Sequence, residues 1–206
     1  MANYSLIVNF DHEMVSKFNE NNQKLVIVKE SEESNVDVAW ITFSPFEIND
    51  VSWSEEYGLY ASCSDVTGQA VIQKSSYVAN ASEQQLYLFT NGTFNLASTD
   101  LSLGENTYEV KNGMPTTTKM LTFGLAQDVT ANGINYAGKP INAVPVMYNE
   151  SATFTPHERI KIFMQSNLDD GMVISRIKSD SLSLDFTDKT DITVKYDSSC
   201  GRFVEE

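Results

Sequence analysis

The sequence predicts a mainly β protein, an antiparallel β-sandwich with one short N-terminal helix. Apolar and polar residues alternate with a period of two, as in Leu182, Leu184 and Phe186 against Ser183 and Asp185. Short runs rich in Val, Ile, Tyr and Phe recur between turn formers such as Asn91-Gly92 and Asn112-Gly113. Helical periodicity is confined to one segment near the N-terminus.

Residues 2–10 read as a strand with Tyr4, Leu6 and Val8 on one face. Asp11 offers a helix N-cap, and Met14, Val15 and Phe18 give the following segment one apolar stripe. Asn21 and Asn22 close that helix, since Asn tolerates a left-handed conformation. KLVIVKE follows as a second strand. From Val36 onward the strand-like pieces are VDVAWITF, GLYASCS, QAVIQKS, QLYLFTNGTF, TYEV and KMLTFGLA. The stretch from Gln127 to Val146, interrupted by glycines and prolines, reads as a long loop. Strands resume with ERIKIFMQS, GMVISRIKS, SLSLDF and DITVKYD. With no internal repeat and no low-complexity linker, a single domain over 1–206 is the economical reading, and two lobes, 1–142 and 143–206, are its alternative.

Charge removes several classes of partner. The 206 residues include 28 acidic and 14 basic side chains, a formal net charge of −14, so a phosphate backbone is repelled and nucleic acid is not an expected partner. Anionic membrane surfaces are disfavoured by the same sign. The apolar runs fall short of the roughly 20 residues that cross a bilayer, so no transmembrane insertion is expected of a monomer. The opening MANYSLIVNFDHE has neither a basic leader nor an unbroken apolar stretch, which points to the cytoplasm or to release without a classical signal peptide. Cys63 and Cys200 match neither a disulfide framework nor a metal quartet; free thiols are the default, with pairing left open.

One resemblance spans most of the chain. The W-S-x-x-Y-x-[LV]-Y-A segment at Trp53, Ser54, Tyr57, Leu59, Tyr60 and Ala61, the P-H-E-R-x-K-[IV]-F stretch from Pro156 to Phe163, and the late Asp185-Phe186-Thr187 are similar to a scattered group of small uncharacterised β-rich proteins of bacteria and fungi. The resemblance implies one compact non-enzymatic β domain. It implies no activity and assigns no functional residue.

Candidate chemistry is sparse. His12 and His157 are the only histidines, and no nucleophile motif accompanies them, so no catalytic residue is assigned. Glu55 and Glu56 sit beside Trp53 and Tyr57, the mixture of acids and aromatic platforms found in glycosidases, but neighbours on a strand face opposite ways. Asp169, Asp170 and Asp188 supply the hard oxygens that Ca²⁺ takes, although turn capping explains Asp equally. No cofactor is expected. Trp53 and Tyr57 read either as core anchors or, with Tyr60, as a binding surface; strand alternation puts Tyr57 and Leu59 on one face and Tyr60 on the other, with Trp53 buried and Tyr60 partly exposed. The long loop places Asn132, Asn135, Asn142, Tyr136 and Tyr148 together, amides for sugar hydroxyls and rings for sugar C–H faces, though a plain surface connection accounts for the same residues.

These observations lead to the expectation of a non-enzymatic binding protein, lectin-like or toxin-like, recognising a cell-surface glycan or membrane component, of the kind used in defence or insecticidal systems. The alternatives are a self-assembling structural or storage protein of the inclusion type, acting as a homo-oligomer or with a partner subunit, and an acid-pair glycoside hydrolase.

Overall fold

The structure, a computed structural model, describes residues 2–30, 36–115 and 120–206, the side chains of residues 96 and 97 excepted. It is mainly β, with one helix and several sheets among the described residues. Strand β1 (Asn3–Asn9) leads into helix α1 (His12–Glu20), and β2 (Gln23–Lys29) returns from it. Asp11 starts the helix through its carbonyl, which accepts from the amides of Met14 and Val15, while its side chain makes no capping bond. Asn22 ends it by adopting the left-handed conformation, φ 52°. Phe18 anchors the helix edge-on against Phe10 and Tyr196.

Next come β3 (Asp37–Phe43), β4 (Ile48–Ser54), β5 (Gly58–Ser62) and β6 (Lys74–Val78), then a hairpin of β7 (Gln85–Thr90) and β8 (Thr93–Thr99). Asn91 and Gly92 turn that hairpin at φ 52° and 78°, the two positive values of a type I′ turn. The chain continues through β9 (Tyr108–Asn112), β10 (Leu121–Ala131), β11 (Ile134–Pro140), β12 (Val144–Val146) and β13 (Ser151–Phe154). The last strands are β14 (Arg159–Ser166), β15 (Val173–Ile174), β16 (Ser181–Asp185), β17 (Asp191–Asp197) and β18 (Arg202–Glu205).

A nine-stranded sheet has the order β18-β17-β1-β4-β10-β5-β6, with β11 and β12 also paired to β10. A four-stranded sheet runs β13-β9-β7-β8, and a five-stranded sheet runs β15-β3-β2-β14-β16. Pairing is antiparallel except between β1 and β17 and between β7 and β9, which are parallel. The expected all-antiparallel arrangement fails there because long connections let these strands return in the same direction.

One apolar cluster joins all three sheets, with Leu6, Trp53, Leu59 and Phe123 from the first, Phe89 and Val110 from the second, and Ile27, Trp40 and Ile160 from the third. Val26, Val28, Ala39 and Phe163 form another cluster on the opposite face of the five-stranded sheet. Cover on both faces explains why β2 reads as an unbroken apolar run. A third cluster, of Val38, Tyr60, Ile72, Ala126, Ala143 and Val173, lies over the outer face of β5.

Several expectations change. The stretch from Gln127 to Val146 is not a long loop: it holds the end of β10, all of β11 and β12, and a hairpin turn at Asn132 and Gly133 with φ 50° and 77°. Asn-Gly is a strong hairpin signal, and the lack of apolar alternation in the exposed strand β11 hid it. Asn112-Gly113, read as a turn former, is the end of a strand, with the Asn112 side chain buried and donating to Val146 O. QAVIQKS contributes one bridge, Val71 to Met172, before β6 begins at Lys74. The strand expected from Lys119 starts at Leu121, Lys119 itself lying outside the described residues.

Candidate binding groove

The nine-stranded sheet buries one face of β1 and β4 and leaves their other face open. On β1, Tyr4, Leu6 and Val8 point inward, so Asn3, Ser5, Ile7 and Asn9 point outward. The register sets Ser5 beside Asp191 on one side and Ser52 on the other; Ser52 pairs with Thr130, and Thr130 with Asn135. Asp191, Ser5, Ser52, Thr130 and Asn135 therefore form one row of short polar side chains across β17, β1, β4, β10 and β11. At a strand spacing of about 4.8 Å the row spans roughly 19 Å.

Beside this row the sheet opens. Strand β10 pairs with β5 from Thr122 to Ala126 and reaches β4 only at Thr130–Ser52 and Ala131–Val51. An irregularity between Gln127 and Val129 marks the departure. Gln127 bridges the gap by donating from Nε2 to Ser54 O at 2.7 Å. The separation leaves a groove of about 380 Å³, lined by Asn3, Tyr4, Ser52, Trp53, Ser54, Asp128, Val129, Thr130 and Asn135. Tyr4 and Trp53 stack at 5.6 Å between ring centroids beneath it. Burial first, then the nearby Glu158 and Glu55 carboxylates, push the Tyr4 phenol up to about 12, so it stays neutral at physiological pH.

Behind the groove lies a buried polar cluster. Lys29 shares a face with Leu25 and Ile27, so period two drives it into the main core. Its Nζ meets Glu158 Oε2 at 2.6 Å, with side-chain exposures of 2 % and 9 %. The ammonium also lies 5.2 Å from the centre of the Trp40 ring and 5.0 Å from that of Trp53. Trp53 Nε1 donates to Glu158 Oε2 at 3.0 Å, and the Tyr57 hydroxyl donates to Oε1.

Burial by itself would raise the Glu158 carboxyl. The Lys29 charge and hydrogen bonds from Lys29, Tyr57 and Trp53 outweigh it and hold the group below the usual carboxylate range. A depressed folded-state value stabilises the fold above the unfolded pKa, about 4.3, and that contribution is lost as pH falls through the folded value. The urea midpoint of the wild type should exceed that of Glu158→Gln by a margin that shrinks as pH falls below about 4.3. A margin constant with pH would contradict this titration.

The predicted site residues scatter. Trp53 and Asn135 meet at the groove. Tyr57 is buried in the main core, its hydroxyl committed to Glu158. Tyr60 was expected to be partly exposed and is 0 % exposed, because the third apolar cluster covers the outer face of β5 and Asn142 O accepts its hydroxyl. Asn132 serves the hairpin, accepting from Asp50 N and donating to Asn49 Oδ1. Tyr136 is half-buried with Lys139 over its ring, and Tyr148, 55 % exposed, sits in the turn between β12 and β13. Ser5, Ser52, Asp128 and Thr130 were missed; their signal is polar residues alternating with core residues along the same strands.

Asp169 pairs with Lys24, while Asp170 pairs with Lys139 and accepts from Thr42 N and Oγ1. Asp188 lies exposed in the turn between β16 and β17. Among the described residues no group of three or more His, Cys, Asp or Glu is arranged to hold a metal ion. Cys63 and Cys200 are free and exposed. Glu55 and Glu56 are exposed in the connection from β4 to β5, not on a strand. No helix among the described residues is long and apolar enough to cross a membrane. Comparisons with protein-family models, curated proteins and solved structures found no match.

Proposed function

We propose that the chain is a non-enzymatic binding domain, a β-sandwich that attaches to a neutral, hydroxyl-bearing surface, a cell-surface glycan, through the open face of its nine-stranded sheet. The observation that carries this reading is the row Asp191, Ser5, Ser52, Thr130 and Asn135, which continues into the groove above Tyr4 and Trp53. Short hydroxyl and amide side chains about 4.8 Å apart offer donors and acceptors at a spacing close to one sugar ring. The groove is shallow and mixed in polarity, suited to orienting a few hydroxyls rather than enclosing a small apolar molecule. The hydrolase alternative needs two carboxylates facing one bond, and the lysines on Asp169 and Asp170 weigh against those two.

A glycan array with the full chain tests the reading. Binding to at least one neutral glycan is expected, weakened at least about tenfold by Thr130→Arg, which places a long cation in the middle of the row. The urea midpoint should hold, since Thr130 faces outward. Absence of glycan binding, or unchanged affinity in Thr130→Arg, would overturn it.

Self-assembly is favoured by a different observation. Strand β8 ends the four-stranded sheet, and Thr93–Thr99 carries no charged residue to discourage pairing with another copy. A monomer at every salt concentration in size-exclusion chromatography would remove this second reading.

A further inference from the structure

The geometry points to a covalent modification inside the core: an amide bond between Lys29 Nζ and Glu158 Cδ, formed by the folded chain itself and linking β2 to the segment that enters β14.

Amine and carboxyl are already in contact at 2.6 Å, with side chains 2 % and 9 % exposed. They are held from several sides, the ammonium between the rings of Trp40 and Trp53 and the carboxyl by the Trp53 indole and the Tyr57 hydroxyl. Such fixed placement supplies much of what a condensation otherwise loses to encounter and orientation. The burial that excludes water also makes two charges expensive even after relaxation. An amide removes both charges together and releases water to bulk solvent.

The step balances within the pair. One ammonium proton passes to the carboxyl, leaving a neutral amine and a neutral acid. The Nζ lone pair attacks Cδ, a bond from Cδ to one oxygen breaks, and that oxygen leaves as water carrying two of the three original ammonium protons. Nothing is oxidised or reduced, and no co-reactant is needed. Trp53 Nε1 donates to Oε2, the oxygen that stays as the amide carbonyl, and Tyr57 donates to Oε1, the oxygen that departs. Burial pushes the Lys29 amine down while the Glu158 charge opposes it, so the proton is easier to pass to the carboxyl than it would be from an exposed lysine.

Intact-mass measurement of the denatured full chain, fresh and after prolonged incubation, tests the proposal together with tryptic mapping. The expected result is a chain lighter by one water molecule. Lys29 should resist trypsin and appear in a branched peptide joined to the segment carrying Glu158. Lys29→Met should restore the full mass, a readout that needs no folded variant. Cleavage at Lys29 with Glu158 unmodified after incubation would overturn the proposal, as would a water loss mapped elsewhere in the chain.

Discussion

Glu158→Ala is expected to destabilise the protein by about 3–5 kcal/mol, the usual loss when one member of a buried ion pair is deleted. The size comes from what is left behind. Lys29 Nζ would keep two indole faces but lose the Glu158 carboxylate, at a position where its side chain is 2 % exposed. The Trp53 indole and the Tyr57 hydroxyl would each lose an acceptor as well. The double variant Lys29→Met with Glu158→Leu should recover most of the loss, since apolar groups of similar volume often replace a buried pair without penalty. Urea unfolding of the three proteins checks this. Equal losses in the single and double variants would mean that packing, not charge, sets the energy. These values, like the pH dependence of the urea midpoint, are for chains whose intact mass shows Lys29 and Glu158 unlinked; a covalent link would abolish that pH dependence and enlarge the loss in both variants.

The second large effect is expected at Trp53. Its ring packs against Tyr4 at 5.6 Å, Trp40 at 5.6 Å and Phe186 at 5.0 Å, and forms one wall of the Lys29 site. Trp53→Ala should cost about 3–5 kcal/mol through the cavity left among these rings. It should also abolish glycan binding by removing the groove floor. Trp53→Phe separates the contributions: it retains most of the apolar contact, loses the indole N–H to Glu158, and should cost about 1–3 kcal/mol. Thermal unfolding and the glycan array measure the two consequences independently. Near-wild-type stability of Trp53→Ala would contradict the packing described here.

The residues of this core show what a linear reading can and cannot reach. Period-two alternation located β1 and β16, and Asn91-Gly92 located the turn between β7 and β8, because strand pleat and type I′ geometry are local properties. Alternation also separated Tyr57 and Leu59 from Tyr60. It could not say that another apolar cluster covers the face bearing Tyr60, since Val38, Ile72 and Ala143 reach it from distant parts of the chain. Strand β11 escaped notice because its exposed residues carry no apolar rhythm. Glu158 lay within the PHERIKIF stretch, yet its importance depends on Lys29, 129 positions away, and on two aromatic residues from other elements.

The β class, the acidic surface, the early helix and the polar character of the alternate strand positions are legible in the linear chain. These follow from composition and from pleat geometry, which every strand carries within itself. Tertiary structure alone decided which strands became neighbours. That set Ser5, Ser52, Thr130 and Asn135 in one row, opened the groove where β4 and β10 part, and brought Lys29 onto Glu158. The physical reason is that strand pairing and burial are long-range: they minimise exposed apolar area and unpaired backbone groups over the whole chain, and no short segment contains that balance.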